Sequence, residues 1–189
     1  GPDWLRERRS SAVARLAGRE LPTSEEEVWR YSPIDDLDLD DFTPATAAPS
    51  AALPTELSDL VAEVGERSAL VAVVNGHIVH EELSAAASAQ GLRVGGASSD
   101  LDGSLLGGIL EGVTPASADE APDFFITLND AFVPHPVVVD VPANVTLTEP
   151  VVVAHWATGD GVAAFPRVLV RAGANSDVRV VEVQASGPE

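Results

Sequence analysis

A chain of 189 residues with 45% hydrophobic content is long enough to bury a core, in one domain or two small ones. Its formal net charge of -19 disfavours nucleic acid and anionic membranes as partners, and its eleven basic residues are all arginine, scattered rather than gathered into a stripe. With no Cys and no Lys it offers no disulfide, no thiolate to attack a substrate or hold a cluster, and no Walker A or Schiff-base lysine.

The chain opens Gly1-Pro2 rather than with Met, which reads as a processed or protease-cut start. No basic region leads into an apolar segment and no apolar run is long enough to span a bilayer, so a cytoplasmic location is expected. Trp4 to Ala17 predicts a helix with Asp3 as N-cap and Gly18 just past the end. Trp4, Leu5, Ala12 and Leu16 share one face with Arg8, whose stem is expected to cover apolar surface while its guanidinium reaches solvent or an acidic partner.

Leu21 to Ile34 predicts a second helix. Thr23 and Glu26 have capping-box spacing, and Pro33 supplies the stop. Capping does not require Trp29-Arg30-Tyr31 just before that stop. The triplet has two readings, an exposed anchor for another subunit or a clamp that docks this segment onto the rest of the chain. The acidic run Asp35 to Asp41 lacks the glycine turn and terminal glutamate of a calcium loop and reads as a solvated charge run. Thr43 to Ser50 is low in complexity and predicts a flexible linker.

Residues 56 to 65 predict a short helix. Leu70 to Val74, Asn75-Gly76 and His77 to His80 predict a hairpin closed by a type I′ turn. Leu101 to Leu110 and Pro122 to Phe132 predict further helices, the first weakened by Gly107-Gly108. From Pro136 onward short β runs take over: Val137 to Val141, Val145 to Leu147, Val151 to Trp156, Arg167 to Arg171 and Val178 to Val183. Such strands suit a sandwich, a barrel or a β-solenoid, and an internal repeat between Val139 to Asn144 and Val170 to Asn175 favours the solenoid, with the asparagines at equivalent corners. The predicted layout is a helical segment 1–42, a linker 43–54, a mixed α/β region 55–133 and a β region 134–189, an α+β chain.

Catalytic signatures are absent from the sequence: there is no Gly-x-Ser-x-Gly elbow and no His-Glu-x-x-His spacing. Asp140, Arg167, Arg171 and Arg179 supply the residue types of a polysaccharide-cleaving solenoid cleft, and the competing reading is that they are ordinary outward-facing strand residues. His77 and His80, three apart on a strand, are expected on opposite faces as surface or edge residues, and His135 and His155 as hydrogen-bonded structural histidines. Asn144-Val145-Thr146 matches a glycosylation sequon but lacks the secretory signal that would give it meaning.

Five segments, in order, resemble the SufD branch of the SufB/SufD family. They are Leu21 to Ile34 with Leu-Pro-Thr and Trp-Arg-Tyr, Leu70 to Gly76 ending in Val-Asn-Gly, Leu128 to Phe132 (Leu-Asn-Asp-Ala-Phe), Val137 to Val153 with Val-Pro-Ala, and Phe165-Pro166-Arg167 running into Val168 to Gly173. The related SufB subunit shares the β core but lacks the Leu-Pro-Thr and Trp-Arg-Tyr opening. The resemblance implies a helical region leading into the first coils of a right-handed parallel β-helix from about residue 134. It also implies a non-catalytic scaffold of Suf iron–sulfur cluster assembly, acting with a SufB-like scaffold and a SufC-like ABC ATPase. Iron–sulfur cluster, ATP and flavin would then belong to the complex and not to this chain. Members of that family run to about twice this length, and their functional histidine and ATPase-docking helices lie in a C-terminal half that no position here matches, so no cluster-binding residue carries over. A β-helix cut between coils is expected to self-associate through its open edge near Val178 to Val183. The alternative to a Suf scaffold is a carbohydrate-active or carbohydrate-binding solenoid.

Overall fold

The computed structural model describes residues 1–47, 53–98, 103–104 and 123–187. It is an α+β chain whose strands form several open sheets. Helix α1 (Asp3–Leu16) has Pro2 as its N-cap, one residue earlier than expected, so Asp3 falls in the first turn and pairs with Arg6. Leu5 and Ala12 are the buried positions of the expected face, and Gly18 takes the left-handed conformation past the helix end. Helix α2 (Thr55–Glu63) buries Leu57 and Val61. Helix α3 (Ala85–Ala89) is capped by the Ser84 hydroxyl, and helix α4 (Phe124–Phe132) by the Asp123 carboxylate accepting from the Ile126 N–H.

The strands are β1 (Thr43–Pro44), β2 (Ala69–Val74), β3 (His77–Leu83), β4 (Arg93–Gly96), β5 (Val137–Val141), β6 (Val151–Ala157), β7 (Val162–Ala163), β8 (Val168–Ala172) and β9 (Val180–Ser186). One sheet runs β3-β2-β6-β9 and the other β4-β5-β8, with β1 and β7 forming a separate parallel pair. β2, β6 and β9 are mutually parallel neighbours, as are β5 and β8, whereas β3 and β4 pair antiparallel at one end of each sheet. The hairpin β2–β3 turns on Asn75 and Gly76, both at positive φ as a type I′ turn demands.

Valines from both sheets fill the space between them: Val71, Val73 and Val153 meet Val137, while Val139 and Val141 meet Val151. Each fully buried valine contributes on the order of 1.5–3 kcal/mol. The other face of the larger sheet is covered by α2 through Leu57 and Val61, and Trp4 packs over Val138 and Leu169 on the outer face of the smaller.

The internal repeat is visible as register. Val139 pairs with Val170, and Asn144 and Asn175, both at positive φ, stack one above the other with the Asn175 amide donating to the Asn144 carbonyl oxygen at 3.3 Å. The peptide groups of this corner also bond between levels, Asn144 N–H to Ala174 O and Asp177 N–H to Val145 O. Val145 to Leu147 is therefore a corner with one bridge, Thr146 to Asp177, rather than a strand.

Other expectations change. Residues 23–32 form a chain of turns rather than a helix, because Val28 and Tyr31 face solvent and leave no apolar stripe to stabilise one. The Glu26 carboxylate still accepts from the Thr23 N–H, at 3.4 Å. The segment expected as a linker begins as strand β1, held by the Thr43 N–H to Gly161 O and the Ala45 N–H to Ala163 O. The helix expected at 101–110 lies outside the described residues except for Gly103 and Ser104, both helical.

Candidate functional site

Residues 24 to 35 form a closed loop. The Ser24 N–H donates to Asp35 Oδ1 at 2.9 Å and its hydroxyl donates to Asp35 Oδ2, and these bonds hold the Asp35 carboxyl below its usual range. Inside the loop the Trp29 N–H bonds Glu26 O and the Ser32 N–H bonds Trp29 O, each at 3.0 Å. The Trp-Arg-Tyr triplet divides within this frame. The Trp29 ring turns onto Phe125 of α4, with centroids 5.2 Å apart, and Phe125 stands edge-on to Phe124, over which the Arg19 guanidinium sits at 5.5 Å. Arg30 is exposed, and Val28 and Tyr31 are 85% and 94% exposed. One residue clamps while its neighbours project. Nothing in the local sequence pointed to Phe125 as the receiver, since it lies almost a hundred positions away, a separation on the order of that between elements of a small domain. Around the projection, Glu25, Glu26, Glu27, Asp36, Asp38, Asp40 and Asp41 are all exposed.

The residues proposed for a sugar cleft, Asp140, Arg167, Arg171 and Arg179, are not brought together: Arg167 pairs with Asp130, Arg171 with Asp140, and Arg179 with neither. Asp130 of α4 is buried. It accepts from Arg8 of α1 at 2.6 Å and from Arg167 just before β8, with Arg15 at 3.7 Å. Burial alone would raise its pKa, and the hydrogen bonds and charges of Arg8 and Arg167 outweigh that and lower it. Arg8 thus reaches the acidic partner expected for it. Asp140 of β5 accepts from Arg171 at 2.5 Å and from Arg93 at 3.0 Å, and the Arg171 bond is the main reason its pKa falls. Arg179 reaches only Thr148 O, at 3.3 Å. A carboxyl held ionised by two guanidinium groups cannot protonate a leaving group, so these clusters join elements and do not favour glycoside chemistry.

The histidines also depart from expectation. His77 is buried rather than superficial, with Nε2 3.1 Å from Ala45 O, while His80 is exposed. A register shift opposite Ala72 and Val73, which leaves Val79 of β3 unpaired, breaks the alternation on which the opposite-face expectation rested. His135 is exposed and edge-on to His77, and its pKa is lowered by partial burial, then by His77 and Arg9. Burial lowers the pKa of His155 against the weaker pull of Glu182, and its Nδ1 is buried without a hydrogen-bond partner. Among the described residues no three His, Asp or Glu side chains are grouped to hold a metal ion, and no helix is long and apolar enough to cross a membrane.

The profile of the SufBD protein N-terminal region matches residues 2–153, most of the chain, and the chain belongs to the SufB/SufD family of the Suf iron–sulfur cluster assembly system. No curated protein matches it.

Proposed function

From membership of that family we propose that this chain is the leading part of a SufD-like scaffold. It acts without catalysing a reaction itself, in the cytoplasm, in complex with a SufB-like scaffold and a SufC-like ABC ATPase. The observation that carries the reading is the family match over residues 2–153. The resemblance of the Leu-Pro-Thr and Trp-Arg-Tyr opening to SufD favours the D-type branch, and the stacked strands β5–β8 and β6–β9 with their Asn144–Asn175 corner support the first coils of a right-handed parallel β-helix. Iron–sulfur cluster, ATP and flavin are handled by the complex; with no Cys this chain has no thiolate ligand to offer a cluster.

Within the proposal, Trp29 fixes the closed loop to α4 so that Arg30 and Tyr31 are presented rigidly to a partner, the residue types that carry most interface energy. Self-association through β8 and β9 is a second contact of the same chain, because no strand among the described residues pairs with their outer edges. The test is to mix the purified chain with SufB-like and SufC-like proteins from one source and measure the mass of the eluting species on a sizing column. Co-elution with the SufB-like protein is expected, and elution of every component alone at tens of micromolar would overturn the reading.

A further inference from the structure

A cavity of about 300 Å³ opens where α1, the end of β1, the start of β3 and the segment before β5 meet. Among the described residues its lining includes Arg9, His77 and His135 but no carboxylate, although the chain carries 30 acidic residues. Each basic group is held in place. Arg9 Nε and Nη2 donate to Val133 O, at 2.8 and 2.6 Å, and Nη2 also donates to Pro134 O. Those bonds leave Nη1 uncommitted. A carbonyl oxygen only accepts, so His77 must donate its Nε2–H to Ala45 O. His135 stands edge-on to His77 at the rim, with ring centroids 5.9 Å apart. The Thr46 hydroxyl adds a neutral donor to the lining.

We propose that this cavity is a binding site for a small oxyanion of phosphate size, held by Arg9 with His77 and His135. Arg9 supplies a fixed charge, and its Nη1 supplies donors that need no reorganisation to meet an oxygen. His135 becomes a donor as the anion enters, so binding takes up a proton. Partial burial first, and then His77 of β3, Arg9 of α1 and the amino group of Gly1, lower the pKa of His135 in the empty site. An anion reverses that balance. The overall charge of -19 repels anions at long range, so the attraction acts only within roughly a Debye length, about 8 Å at physiological salt.

The test is an imidazole-detected NMR titration of the whole chain with inorganic sulfate, which is dianionic at both pH 6 and pH 8 and has the size of phosphate, against chloride at matched ionic strength. The expected result is a saturable shift of the His77 and His135 ring signals, with tighter binding at pH 6 than at pH 8. Inorganic phosphate and AMP compared at one pH identify the source: tighter binding of AMP means a nucleotide-borne phosphate, equal or weaker binding a free oxyanion. His135→Phe keeps an aromatic ring against His77 and is expected to flatten the pH dependence with an unchanged melting temperature. Shifts that fail to saturate, or that chloride reproduces, overturn the proposal, as does His135→Phe binding with the wild-type pH dependence.

Discussion

At the scale of single residues, buried carboxylates set where this chain is vulnerable. Asp130 ties α1, α4 and the approach to β8 together through Arg8 and Arg167, and Asp140 ties β4 to β8 across β5 through Arg93 and Arg171. Asp130→Asn leaves two guanidinium groups facing a neutral amide in a buried site, and is expected to cost roughly 3–5 kcal/mol in urea unfolding. A loss below about 1 kcal/mol would show that water replaces the carboxylate. Both carboxyls have pKa values below their unfolded values. Their contribution is therefore complete above the ordinary carboxylate pKa of about 4 and is lost as pH falls through the folded values. Stability measured from pH 6 downward should stay level to about pH 4 and then fall, and Asp130→Asn should flatten that fall. An acid limb as steep in the variant as in the parent contradicts the assignment.

At the scale of elements, the asparagine corner is the most direct test of how the connections leaving the parallel strands β5 and β8 are joined. Asn144 has φ 62° and Asn175 φ 57°, and the amide bond between them fixes the stacking. Asn144→Ala places a Cβ in the left-handed region without the local bonding that excuses asparagine, at about 1–2 kcal/mol, whereas Asn144→Gly relieves the backbone and loses only the side-chain bond. Alanine should be the less stable of the two by urea midpoint, and the reverse order would remove the corner from the account. This corner was legible in the sequence because Val139 to Asn144 and Val170 to Asn175 repeat the residues the turn requires. The β2–β3 hairpin was legible for a similar reason, Asn-Gly being a local instruction. Residues 23–32 were misread because Thr23 and Glu26 cap a turn as well as a helix, and what decides between them is burial that Val28 and Tyr31 do not have. Strand β4 was missed because Gly95-Gly96 reads as a loop. Gly95 sits at φ 141° where a Cβ would come 2.7 Å from a Glu81 carboxylate oxygen, and the Gly96 N–H bonds that same oxygen. Glycine is thus the residue this strand contact needs, which no local pattern states.

At the scale of the whole molecule the two ends of the strand stack differ. Antiparallel β3 and β4 are the edge strands at one end, linked by the Glu81 bond to Gly96, and β3 carries exposed His80, Glu81 and Glu82, charges that discourage further strand addition. At the other end the outer edges of β8 and β9 likewise have no partner strand among the described residues. Association of the chain through β8 and β9 should stop at a dimer, since the charged β3 edge and the side-chain bond at β4 discourage continuation into a filament. Sedimentation velocity over a dilution series is expected to show a monomer–dimer equilibrium. A monomer mass at every concentration would mean that the edge is covered.

The candidate interface depends on a division of labour that neither the fold nor the family match tests by itself. Trp29 anchors the loop on Phe125 so that Arg30 and Tyr31 can be presented, and the partner is expected to read the presented residues and not the anchor. The deciding measurement is the affinity of the SufB-like protein for the parent chain and for the Arg30→Ala/Tyr31→Ala double variant, with both melting temperatures recorded. Unchanged melting is expected, with an affinity loss of at least about thirtyfold, the size that removing a hot spot of about 2 kcal/mol gives. Equal affinities in two equally stable chains would contradict this division of labour and place the partner surface elsewhere on the molecule.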